Sequence, residues 1–160
     1  FITDCFIDSP SHKLNFGLTK MNRTASKNLE EAIKLLKEFH DIFMDNGKPR
    51  SKLLKTSKIE IYARCNTVRG QNHFCLSTIA IDPMIQNQQV FTTLLLFIEY
   101  ELTYDSMSVE SVLSPRLADF LKRKGFKVTL GDKSSSDFKV HCKNLTKNFN
   151  QTKVVNKKEP

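Results

Sequence analysis

The stretch IDPMIQNQQVFTTLL, residues 81–95, joins a strand-like run to a dense apolar helix through a glutamine-rich loop. A loop at that junction is where main-chain N–H groups and a helix dipole can hold a phosphate. Such loops use glycine for close approach and unusual backbone angles, and this one has none. Two readings stand: a phosphate cradle without its glycines, or a plain connection. Other groupings carry less. His73-x-Cys75, His141-Cys142 and Cys65 are metal-ligating types, but zinc sites pair their ligands at tight spacing, so no metal site is expected. No Gly-x-Ser-x-Gly occurs, which removes the usual serine-hydrolase elbow. Arg50, Lys52, Lys55 and Lys58 form a basic cluster without interleaved aromatics, and read as a solvated connection.

The elements around the loop follow from periodicity. Residues 1–8 alternate loosely and read as a first strand, and residues 9–24 as loop. Leu29, Ile33, Leu36, Phe39 and Phe43 recur at spacings of three and four. That predicts a helix over 27–46, capped by Ser26 and stopped by Gly47. Residues 58–65 alternate strictly and 73–81 are apolar toward their end, so an antiparallel hairpin turning near Gly70 is expected. The apolar residues of 88–103 cover more than half a helical circumference, which requires burial against a sheet. A strand over 106–113 follows. Then comes a helix with Ser114 as N-cap, Pro115 at its first position and Gly125 as its stop. Two last strands, FKVTL and DFKVHC, close the pattern.

The 160 residues suffice for one domain with its own core. Residues 1–142 read as that domain and 143–160 as a basic, flexible tail. The tail's five Lys and one Glu supply +4 of the net charge of +8, which weakens a nucleic-acid argument from charge alone. No apolar run reaches the roughly 18 residues that a membrane span needs. Four scattered cysteines without a CxxC pair point to reduced thiols and a cytoplasmic setting. Phe1 in place of an initiator Met implies processing or trimming. Twelve phenylalanines and no Trp predict a core built on Phe.

The run 73–126 resembles the GCN5-related N-acetyltransferases. Their core is a strand ending near a proline, an acetyl-CoA loop of the form Gln/Arg-x-x-Gly-x-Gly/Ala, a helix with two leucines, a strand, and a helix ending in Gly-Phe. Here the strand is LSTIAI, the proline Pro83, the first loop residue Gln86, the leucines Leu94-Leu95, and the close LADFLKRKGF. The departures are Gln89 and Phe91 at the two loop glycine positions, and Leu121 where many relatives carry a tyrosine general acid.

The resemblance implies an α/β fold: a mixed, largely antiparallel central sheet with helices on both faces. It implies acetyl-CoA as cofactor and acetyl transfer to an amine. The main chain of Ile79, Ala80 and Ile81 would pair with the pantetheine, and Gln86, Gln88, Gln89, Val90, Phe91 and Thr92 would line the pyrophosphate. Glu60 and Glu110 are the carboxylates nearest the expected cleft and the candidate bases, with Tyr62 and Tyr104 as candidate acids. The lost glycines motivate an alternative: an inactive relative that binds an acidic protein or a nucleic acid. One geometric feature separates these readings. The strand bearing Ile81 must diverge from the strand 106–113 if pantetheine is to fit.

Overall fold

The computed structural model describes residues 21–131 and 135–143. The expected first strand and the tail beyond Lys143 lie outside them. Helix α1 runs Arg23–Asn46. Strands β1 (Arg50–Lys55), β2 (Ile59–Val68) and β3 (Gln71–Ile81) follow, then a 3-10 turn at Pro83–Ile85. Helix α2, Val90–Leu96, runs on into a π-helical turn at Phe97–Glu101. Strand β4 (Ser106–Val112), helix α3 (Pro115–Arg123), β5 (Lys127–Gly131) and β6 (Ser136–His141) complete the order.

The six strands form one sheet in the order β1-β2-β3-β4-β6-β5. Only β3 and β4 pair in parallel; the other four neighbouring pairs are antiparallel. The mixed, largely antiparallel sheet is as expected. The basic cluster is not a connection, because Arg50–Lys55 is the edge strand β1, registered on β2. Its cations are largely used within the fold. Arg50 sits over the Phe39 ring, Lys55 pairs with Glu60 and Lys58 with Asp82. Lys and Arg on an edge strand also discourage pairing with other chains.

Alternation decides which face is buried. Ile59, Ile61, Ala63 and Cys65 of β2, Phe74, Leu76, Ile79 and Ile81 of β3, and Met107 and Val109 of β4 are all buried. The helices cover that face. Phe39 of α1 meets Phe74 edge-on at 6.4 Å, and Phe91 of α2 lies 6.4 Å from Phe120 of α3. Phe43, Phe74 and His40 surround Tyr104; phenylalanine supplies many of the largest buried side chains, but leucine is the more frequent core residue. The opposite face of β2, β3 and β4 is polar and half-exposed.

Local chemistry sets the element ends. The α1 N-cap is Asn22, not Ser26: its side chain accepts from the Ala25 N–H at 2.8 Å, which adds a turn to the helix. Arg69 and Gly70 both have positive φ, so the β2–β3 hairpin closes through a two-residue turn of the kind that matches strand twist. The α3 terminus is a Schellman motif. Gly125 has φ 92°, its N–H donates to the Lys122 carbonyl, and that of Phe126 to the Leu121 carbonyl. The helix expected over 88–103 is α-helical only to Leu96. At its end the Leu102 N–H reaches back five residues to the Phe97 carbonyl at 3.3 Å, the signature of a π turn.

Candidate functional site

The partnership of β3 and β4 is short. Their register runs from His73↔Ser106 to Leu76↔Val109 and stops. Strand β3 continues to Ile81 and β4 to Val112, with no further register between them. Irregularities sit at the point of separation. Ser77 is an extra residue between the pairs Tyr62↔Thr78 and Ala63↔Leu76. On β4 the register to β6 slips between Val109 and Val112, and Ser111 takes φ 54°. A bulge bends the strand that carries it and increases its twist, so both strands turn at the fork.

The main chain of β3 inside the fork is oriented by its other neighbour. The Asp82 N–H donates to the Lys58 carbonyl at 2.8 Å, which sets the phase of the β2–β3 ladder. In an antiparallel pair, alternate residues bond across and the ones between turn away. Glu60↔Ala80 and Tyr62↔Thr78 therefore bond across. Ile79 and Ile81 direct their N–H and C=O groups into the fork. One of these is taken: Gln86 Nε2 donates to the Ile81 carbonyl at 2.7 Å.

The loop keeps the backbone of a glycine loop without the residue. Asn87 and Gln89 both have φ 61°, the left-handed region that costs an ordinary residue roughly 1–2 kcal/mol. Consecutive N–H groups in such alternating conformations form an anion-binding concavity. Side chains brace the loop: Gln88 Oε1 accepts from the Asn22 N–H at 2.8 Å, and Thr93 Oγ1 donates to the Gln89 carbonyl at 2.7 Å. Phe91 is buried against Phe120, so its bulk points into the core and away from the loop. No Lys or Arg occurs in 86–92, and an anion there would depend on main-chain N–H groups. Main-chain groups of Ile79 and Ile81 face the fork beside the left-handed loop, whereas those of Ala80, expected from sequence to pair with a pantetheine, bond across to β2.

The two carboxylates named from sequence are not brought together. Glu60 on β2 pairs with Lys55 at 2.9 Å. Glu110 on β4 follows Val109, the last residue registered to β3, and ion-pairs with Arg64 of β2. Glu60 is registered to Ala80 on the side of β3 away from β4, whereas Glu110 stands on β4 itself where the strands part. Arg64 also donates through Nε to Ser77 Oγ at 2.8 Å and approaches the Cys75 thiol at 3.5 Å. The Ser77 hydroxyl lies 3.4 Å from Glu110 Oε2. Burial pushes the Cys75 thiol up from its ordinary pKa, which keeps it protonated.

Of the candidate acids, Tyr62 stands on the open face and Tyr104 does not. Tyr104 is buried, with its hydroxyl beside the Cys65 thiol. Burial drives its pKa far above the ordinary tyrosine value. A group so poor at yielding or taking a proton is a core residue, not an acid for the reaction. Leu121, at the family's tyrosine position, is likewise buried.

Two clefts lie on the polar face over the paired stretch of β2, β3 and β4, and reach the fork at Glu110. One, of about 690 Å³, includes Asn66, His73, Ser106, Ser108, Glu110 and Asp137 in its wall. The other, of about 490 Å³, shares Asn66, His73 and Glu110 and adds Arg64 and Cys75. His73, considered from sequence only as a metal ligand, lies between them. Its Nδ1 is 2.7 Å from Ser106 Oγ and its Nε2 2.9 Å from Ser108 Oγ. No metal-holding cluster occurs among the described residues. Strict alternation over 58–65 puts Arg64 on the face opposite Ile61 and Ala63. The cross-strand register that joins it to His73 and Glu110 has no local signal.

No family model matches the chain, and no curated protein does. Solved structures are similar to it at low identity. A nucleotide-linked sugar GNAT named FdhC, in its apo form, is 12% identical with a TM-score of 0.42, over 74% of this chain and 69% of its own. The histone acetyltransferase HPA2 and related acetyltransferase from Corynebacterium glutamicum is 14% identical at 0.41, over 78% and 95%. The Campylobacter jejuni N-acetyltransferase PseH, in complex with acetyl coenzyme A, is 12% identical at 0.36, over 80% and 87%. Likenesses at these scores carry no inference about activity, which rests on the fork and the loop of this chain.

Proposed function

We propose that this chain is an acyl-CoA-dependent N-acyltransferase that transfers an acetyl group to an amine. The observation that carries this reading is the fork: β3 and β4 part after Leu76 and Val109, beside a loop whose backbone is left-handed at two non-glycine positions. A separation of parallel strands leaves main-chain groups of Ile79 and Ile81 to recognise an extended chain of amides, as an added strand would. Main-chain recognition tolerates sequence change, which accounts for a loop that keeps its shape without its glycines.

Bound acyl-CoA supplies the activated carbonyl. Ile79 and Ile81 hold the pantetheine amides in this reading, and the loop 86–92 faces the pyrophosphate. Gln86 serves the site indirectly, by tying the loop to the Ile81 carbonyl. Glu110, fixed by Arg64 and Ser77, presents a carboxylate at the fork where an acceptor ammonium would be attracted. Glu60 is given no catalytic role, because its carboxylate is paired with Lys55 of β1 and its strand is separated from β4 by β3.

Calorimetric titration with acetyl-CoA tests the reading. Binding heat and a rise in Tm that grows with acetyl-CoA concentration are expected, since a ligand that binds only the folded state stabilises it. Absence of both at millimolar acetyl-CoA overturns it.

A further inference from the structure

We infer that His73 is the proton acceptor for the incoming amine, working through Ser108, in the polar cleft on the face of β2, β3 and β4 opposite their buried apolar residues. This rests on the acyl-transfer reading above. The geometry begins with position. His73 opens the paired stretch of β3 and β4, three residues before the fork. Ser108 faces the same cleft on β4, directly before Val109, where the strands part, and two residues before Glu110. A group bound beside Glu110 at the fork is thus next to the Ser108 hydroxyl.

His73 is built to accept at one nitrogen only. Ser106 is buried, and its hydroxyl lies 2.7 Å from Nδ1. With the ring proton on Nδ1 and donated to Ser106, Nε2 is left to accept the Ser108 proton across 2.9 Å. Burial is the largest influence on the ring and lowers its pKa from 6.5; Lys139 and Arg64 lower it further and Glu110 opposes them. The Cys75 thiol on its own strand, Asp137 and Arg69 in one cleft wall and Arg50 in the other also face it, and the imidazole is neutral near pH 7. A general base works when it is unprotonated at the operating pH and within hydrogen-bond reach of the group it serves.

The proton balance is simple. As the amine nitrogen bonds to the acyl carbon, its N–H proton passes to Ser108 Oγ, and the Ser108 proton passes to His73 Nε2. The C–S bond breaks with its electron pair on sulfur, and the thiolate takes a proton from water. The imidazolium returns its proton to solvent through the cleft.

Water is the acceptor-independent nucleophile for a test, because thioester hydrolysis requires the same proton removal. Thiol release from acetyl-CoA would be followed from pH 5 to 8.5 in the wild type, His73→Gln and Ser108→Ala, with acetyl-CoA affinity measured by calorimetry. The expected result is an acid limb in the wild type with a midpoint below 6.5. Both variants should lose about 100-fold in rate and lose the limb, with affinity unchanged. A second readout needs no turnover: nitrogen-15 spectra of the free protein should show His73 as the Nδ1–H tautomer at neutral pH. Wild-type rates and limb in both variants with affinity intact, an Nε2–H ring, or a wild type that binds acetyl-CoA without releasing thiol would each overturn the role of His73 alone. A wild type that fails to bind acetyl-CoA removes the acyl-transfer reading as well.

Discussion

Arg64 of β2 reaches across β3 to the carboxylate of Glu110 on β4, one residue beyond the last registered β3–β4 partners. The guanidinium bonds the bulge residue Ser77 on the way. It therefore ties together three strands where two of them separate. Both partners are partly exposed, at 47% and 32% of their side chains, so the pair contributes little to stability. Arg64→Ala should cost no more than about 1 kcal/mol in urea unfolding, while acetyl transfer to an amine falls because Glu110, which draws the ammonium, loses its orientation. A variant with unchanged turnover would show that the pair is structural.

Gln89 occupies a backbone position that glycine holds without steric cost. Gln89→Gly should raise the urea midpoint by an amount equivalent to about 0.5–1 kcal/mol, the relief of the left-handed strain less the added freedom of the unfolded chain. Acetyl-CoA affinity should be kept or improved. A loss of stability would mean that the left-handed conformation is not strained in the folded protein.

Phe91 separates two accounts of the missing second glycine. Its ring packs on Phe120 inside the core, so Phe91→Ala should destabilise the fold by about 3–5 kcal/mol. No gain in acetyl-CoA affinity is expected, since the ring does not obstruct the loop. Tighter binding, measured under conditions where the variant is folded, would show the opposite.

His40 pins α1 to the turn before β4. Its Nε2 accepts from the Thr103 N–H at 3.1 Å, and its Nδ1 faces Asp41 at 2.9 Å. Burial lowers its pKa from 6.5, more than Asp41 raises it. The unfolded chain then binds this proton more readily than the folded one. The contribution is complete above pH 6.5 and is lost as pH falls toward the depressed folded value. Denaturant midpoints at pH 5, 6 and 8 should fall on the acid side, and His40→Asn should flatten the slope. An equal slope in that variant would assign the effect elsewhere.

Much of this fold is legible in local pattern. The alternation of KIEIYARC and the apolar rise of HFCLSTIAI place β2 and β3. Ser114, Pro115 and Gly125 bound α3 by capping chemistry that needs no distant contact. The strand β1 was hidden because RSKLLK carries three cations and a single buried residue, and its pairing with β2 is what holds it extended. The turn at Phe97–Glu101 was hidden for a related reason, since apolar content does not distinguish a five-residue from a four-residue hydrogen bond.

The order of residues alone determined the strand–loop–helix motif and the place of Gln86 and Leu94-Leu95 in it, because these depend on short-range periodicity. Three matters were decided only by tertiary structure. The fork between Ile81 and the strand 106–112 depends on bulges that arise when strands from distant segments are registered. The direction of Phe91 depends on Phe120, 29 residues away in the chain and in contact only once α2 and α3 pack. The grouping of Arg64, His73, Ser108 and Glu110 depends on three strands lying side by side, and no periodicity within one strand encodes its neighbour's register.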